Sequence, residues 1–141
     1  MTVRLALYKH KRTGLAGIVP ALIRFWTRSE YSHCELVIGD MAYSSSVQDG
    51  GVRAKRIKFD PAHWDFVDLP WASAHLVEMH YQSTEGEPYG WTDLLWRQVF
   101  NRPGDALGAF CSEWCAAALG LTNPQQYSPG TLGEYCKSRI A

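Results

Sequence analysis

Apolar and polar residues alternate along Val3–Lys9, which predicts a strand with one face on a core. His10–Gly17 is a basic, glycine-containing turn. Ile18–Trp26 has the spacing of a short helix, with Pro20 in its first turn and Leu22, Ile23 and Trp26 on its apolar face. A second strand is predicted at His33–Gly39, and a tight turn at Asp40-Met41 leads into Ala42–Ser46. Gln48-Asp49-Gly50-Gly51 turns the chain again, into Val52–Phe59, where Val, Ala and Ile alternate with Arg and Lys. Trp64–Leu69 is a further strand, stopped by Pro70.

The second half changes period. Ala72–Ser83 carries Leu76, Met79 and His80 at helical spacing, and Trp91–Phe100 is a second amphipathic helix. Phe110–Leu121 is alanine- and leucine-rich, with Trp114, Cys115 and Ala118 on one face and Gly120 as a stop. A last helix is expected at Leu132–Ile140, after Ser128-Pro129-Gly130. Strands first and helices afterwards define an α+β architecture, an antiparallel sheet packed against helices. The length, 141 residues, fits a single domain over 1–141.

Composition narrows the function. Formal charge balances at zero, and no lysine/arginine cluster is long enough for a nucleic-acid footprint. The N-terminal residues hold no long apolar run, so neither a signal peptide nor a transmembrane segment is expected. That reading places the protein in the cytoplasm, or makes it a phage-encoded or virion-associated protein delivered by another route. The four cysteines follow no C-x-x-C or zinc-ribbon spacing, so thiols without disulfides and no metal are expected. No P-loop or dinucleotide glycine pattern is present, and no cofactor is expected. Six tryptophans suit a packed core with an aromatic-lined groove.

The candidate chemistry centres on Cys111. Asn101-Arg102-Pro103-Gly104-Asp105 and Gly108 are expected to hold off the helix until just before Cys111. A thiol in the first turn would feel the unpaired N–H groups and the helix dipole, which favour thiolate. Cys115, one turn on, reads as core. A reactive thiolate needs a base, and of five histidines His33 is the best placed, opening a strand directly after Tyr31-Ser32. His10 and His63 lie in turns, and His75 and His80 read as ordinary helix residues. A third group commonly orients the imidazole. Glu35 shares a face with His33 through the period of two, and Ser44 or Tyr43 on the next strand are the other candidates.

Four segments, in order, resemble the circularly permuted, YiiX-like branch of the NlpC-type papain-like cysteine hydrolases. Leu22–Ser29 followed by Tyr31-Ser32-His33 is similar to that family's helix-to-histidine segment. Gly86-Glu87-Pro88-Tyr89-Gly90-Trp91 is similar to its G-x-P-Y-D-W turn, with Gly90 where the aspartate is expected. Cys111-Ser112-Glu113 and Ser128-Pro129-Gly130-Thr131-Leu132 are similar to its nucleophile and closing segments. The resemblance spans roughly Leu5 to Leu132. It implies a papain-like sheet-and-helix fold with the nucleophile Cys111 at a helix N-terminus and His33 as the base. Ser44 aligns with the family's imidazole-orienting position, and Tyr89 with a tyrosine near the oxyanion; Tyr43 is a second tyrosine candidate there. The N–H of Cys111 would be an oxyanion donor. The implied activity is a peptidase or amidase cleaving an amide bond in a peptide or peptidoglycan stem peptide. Two alternatives stay open: an acyl thioester or lipid hydrolase or acyltransferase, and a non-catalytic binding or virion module on the same fold.

Overall fold

The structure, a computed structural model, describes residues 2–9, 31, 33–46, 49, 51–86 and 106–140, with the backbone alone for 106–110 and 140. Five strands form one sheet: β1 (Val3–Tyr8), β2 (His33–Ile38), β3 (Met41–Ser46), β4 (Gly51–Arg56) and β5 (Trp64–Leu69). Their order is β4-β3-β2-β1-β5, and every neighbouring pair is antiparallel. Among the described residues three helices accompany them, α1 (Ala74–Thr84), α2 (Ala106–Ala118) and α3 (Pro129–Ile140), with a 3₁₀ turn at Pro124–Gln126. The protein is therefore α+β with an antiparallel sheet. No helix among the described residues is long and apolar enough to cross a membrane.

The period of two sorts the sheet into two faces. Leu5, Leu7, Cys34, Leu36 and Val67 point to the helices, where they pack with Val77 of α1, Trp114 and Cys115 of α2, and Leu132 and Cys136 of α3. Ala6, Val37 and Ala42 point the other way, under Ile57, Phe59, Trp64 and Phe66. Ile57 and Phe59 were expected to extend β4. The strand instead ends at Arg56, and the two side chains fold back to cover this second face. The β2–β3 turn is Gly39-Asp40, since Ile38 pairs with Met41. Gly39 takes φ 62, a conformation open to glycine, which puts the turn one residue before the expected Asp40-Met41.

Local chemistry fixes the helix ends. At the end of α2, Leu121 N–H donates to Ala116 C=O and Gly120 N–H to Ala117 C=O, both at 3.0 Å. With Gly120 at φ 79, this is a Schellman closure, so Gly120 is the stop its sequence position predicts. Helix α3 starts earlier than expected. Ser128 and Thr131 cap each other: Thr131 N–H donates to Ser128 Oγ (3.1 Å) and Ser128 N–H to Thr131 Oγ1 (2.8 Å). Ser128-Pro129-Gly130 is thus the start of the helix rather than a connection, with Pro129 at its first position. Gly133 then sits against β1 so closely that a Cβ there would lie 2.8 Å from Leu7 Cδ1. The helices expected at Ile18–Trp26 and Trp91–Phe100 lie outside the described residues.

Candidate active site

The site grows from the first three residues of β2, a central strand. Glu35 is fully buried, on the sheet face away from the helices, in register with Ala6. A buried carboxylate needs charged partners. Arg53, reaching across from β4, grips both oxygens: Nη1 to Oε1 and Nη2 to Oε2, each 2.5 Å. His33 Nε2 bonds the same Oε2. Burial alone would raise the Glu35 carboxyl, but the charges and hydrogen bonds of His33 and Arg53 outweigh it and hold the group below its usual range. Arg53 is held in turn by Asp49, whose Oδ2 accepts from Arg53 Nε and Lys55 Nζ, both at 2.7 Å.

His33 is the link to the helix side. It is the first residue of β2, so its ring can pass round the strand end, and it hydrogen-bonds the thiol of Cys111 as well as Glu35. With Nε2 engaged by Glu35, Nδ1 is the nitrogen left for the thiol. Burial opposes a charged ring, but about a quarter of the side chain (23%) stays exposed, and Glu35 and Cys111 raise the imidazole to about 10. Cys34, the next residue, points into the helix-side core and meets two thiols of α2. Its Sγ lies 3.7 Å from that of Cys115, and both its thiol and its backbone N–H bond Cys111. Hydrogen bonding from Cys34 is the strongest influence on Cys111. Together with the imidazolium it overrides burial and takes this thiol well below the ordinary cysteine value. Cys34 shifts the other way, pushed up by its own burial.

Three of the expected residues therefore come together: Cys111, His33 and Glu35. The reason expected for Cys111 does not hold. Helix α2 begins at Ala106 and runs through Gly108, so Cys111 is its sixth residue, not a first-turn residue. Glycine inside a helix costs about 1 kcal/mol against alanine, which weakens a helix without ending it. The dipole's influence fades beyond the first turn. An amide at this depth is engaged by the carbonyl four residues earlier, so the Cys111 N–H is not an oxyanion donor. The thiol is activated by its neighbours on β2 instead.

The remaining candidates sit elsewhere. Ser44 is fully buried, and its hydroxyl donates to Cys34 C=O at 2.7 Å, a bond that fixes the β2 backbone rather than the imidazole. Tyr43, in register with Leu36, points to the helix side and stacks edge-on against Tyr81 of α1. Tyr89 lies outside the described residues, as does Gly90. Cys115 is core, as expected, and no disulfide joins the four buried cysteines. His80 packs against Trp114. Arg53 was read only as part of an alternating strand; the signal that could have found it is its place opposite Ser44 on the same face as Glu35.

Fold and site together define an α+β domain with a thiol, an imidazole and a carboxylate in hydrogen-bonded series. No family model, curated protein or solved structure matches the chain.

Proposed function

We propose that this protein is a cysteine hydrolase of papain-like type, with Cys111 as nucleophile and His33 as the proton carrier, oriented by Glu35. The observation that carries the proposal is the unbroken series Cys111–His33–Glu35. With the imidazole raised and the thiol lowered, the resting pair is thiolate and imidazolium. The thiolate adds to an amide carbonyl carbon, and the imidazolium gives its proton to the leaving amine. Water, deprotonated by the now neutral ring, then splits the thioester and restores the pair. The resemblance set out above points to a peptide or peptidoglycan stem peptide as the amide.

A second reading, a non-catalytic domain on the same fold, is favoured by the near-complete burial of Cys111, at 2% exposure. One measurement separates the two: the pH dependence of iodoacetamide alkylation at Cys111, located by peptide mass mapping, in wild type and His33→Ala. The hydrolase reading expects reaction well below pH 8.5, the ordinary thiol value of about 8.5, and loss of that reactivity in His33→Ala. An ordinary profile unchanged by the substitution overturns it. Purified protein should then release new amines from muropeptides; activity on acyl thioesters alone would reassign the substrate.

A further inference from the structure

Glu35 is the group of the site with the most to lose from its surroundings. It has no exposed surface, it lies on the face opposite the cysteine helix, and its only charged neighbours are His33 and Arg53 among the described residues. Arg53 makes two parallel contacts to it, and such a fork fixes both the rotation and the tilt of a carboxylate. A single cation of another shape cannot reproduce that. Arg53 is itself oriented by its Nε bond to Asp49, which sits in the β3–β4 connection and also holds Lys55. Burial would raise the Asp49 carboxyl, yet hydrogen bonds from Lys55 and Arg53 take it down to about 2, so it stays ionised across the working range.

We infer that Arg53 is a positioning residue for the Cys111–His33 pair, acting through its two-pronged hold on Glu35, and that Asp49 ties this hold to the β3–β4 connection. The inference rests on the hydrolase reading and names the part of the protein that sets its proton inventory. Arg53 reaches the thiol only through Glu35 and His33. It keeps Glu35 charged and aimed at Nε2, which turns Nδ1 towards Cys111. Without Arg53 the buried carboxylate is held by His33 alone, is free to rotate, and is more easily protonated. A neutral or displaced Glu35 no longer supports the imidazolium, and the thiol regains its proton at higher pH. The groups facing this relay are Glu35 and His33 on β2, Lys55 beside Arg53 on β4, Asp49 in the connection, and Cys34 and Cys111 at the thiol end.

The test uses the full chain and compares wild type with Arg53→Met, Arg53→Lys and Asp49→Asn. Circular dichroism establishes that each variant is folded, and the pH profile of Cys111 alkylation is the readout. Arg53→Met should move the profile's midpoint up by about one pH unit, so that alkylation slows by about tenfold at pH values below the wild-type midpoint. Arg53→Lys keeps the charge without the fork and should recover part of the shift; Asp49→Asn should give a smaller shift in the same direction. A folded Arg53→Met with the wild-type profile overturns the inference while leaving the hydrolase reading standing. An ordinary thiol profile in wild type removes the hydrolase reading itself, and the inference with it. If Arg53→Met does not fold, the Lys and Asn variants decide: wild-type profiles in both overturn the inference.

Discussion

Replacing Glu35 by glutamine keeps the shape of the buried side chain and removes its charge. In the native protein its two oxygens receive Arg53 Nη1 and Nη2, each at 2.5 Å, and Oε2 also receives His33. Glutamine offers one oxygen and one NH₂, so at least one Arg53 or His33 donor must face another donor. Breaking a buried ion pair from one side costs about 3–5 kcal/mol. Arg53 is 14% exposed and keeps Asp49 at 2.7 Å, which places this case at or below the lower end. We expect Glu35→Gln to lose about 2–3 kcal/mol at pH 7, close to the worth of one or two charge-assisted hydrogen bonds. Urea denaturation followed by circular dichroism measures this directly. The pH dependence supplies a second check. A carboxyl with a lowered folded-state pKa contributes stability above its ordinary value of 4.5 and loses it as pH falls through the folded value. The gap between wild type and Glu35→Gln should therefore narrow on acidification below pH 4.5. Replacing both partners, as Glu35→Leu with Arg53→Leu, should cost less than the two single changes added together. A Glu35→Gln protein within about 0.5 kcal/mol of wild type at pH 7, the range of ordinary surface changes, would refute the reasoning.

Three further outcomes are expected. His33 has its pKa raised from 6.5 to about 10, so its contribution is complete below 6.5 and lost as pH rises through 10; the stability gap between wild type and His33→Ala, from urea titrations at several pH values, should close over that range. Gly120→Ala meets no atom within 4 Å but must adopt φ 79, so calorimetry should show a loss of about 1–2 kcal/mol from backbone strain alone. Gly133→Val drives a branched side chain into Leu7, 2.8 Å from the first added carbon, and should cost about 1–3 kcal/mol or more by overpacking, seen as a lowered denaturation midpoint.

The sheet was legible because its signal is local. Alternation along β1 gives both the strand and its buried face, and the structure agrees to within a residue there and at Trp64–Leu69. The His33–Glu35 contact follows from the same period of two. What the sequence hid depends on energy balances between neighbours. Gly104 and Gly108 read as breakers, but α2 starts between them and passes through the second, because a glycine's cost is small beside the burial of Trp114, Cys115 and Ala118. Ser128-Pro129-Gly130 reads as a loop by composition, and only the reciprocal bonds to Thr131 make it a helix start. Arg53 was hidden for a different reason. A basic residue on a strand reads as a solvent face, and its partner lies 18 positions away on a strand that is not its neighbour, with β3 between.

This placement changes where the reactivity of Cys111 comes from. A cysteine at a helix start would owe its acidity to backbone dipoles, and substitutions on the sheet would leave it reactive. Here the thiol lies too deep in α2 for that field, and the groups that lower it are consecutive on one strand: His33 and Cys34 touch it, and Glu35 supports His33. The period of two puts Cys34 and Glu35 on opposite faces of the sheet, and only the residue at the strand's end can serve both sides. A shift of β2 by one residue would send the carboxylate to the helix side, away from Arg53, and turn Cys34 away from Cys111. The register of β2 against β1 and β3, fixed by Leu36, Val37 and Ile38 in their pairs, is therefore as much a part of the site as the thiol.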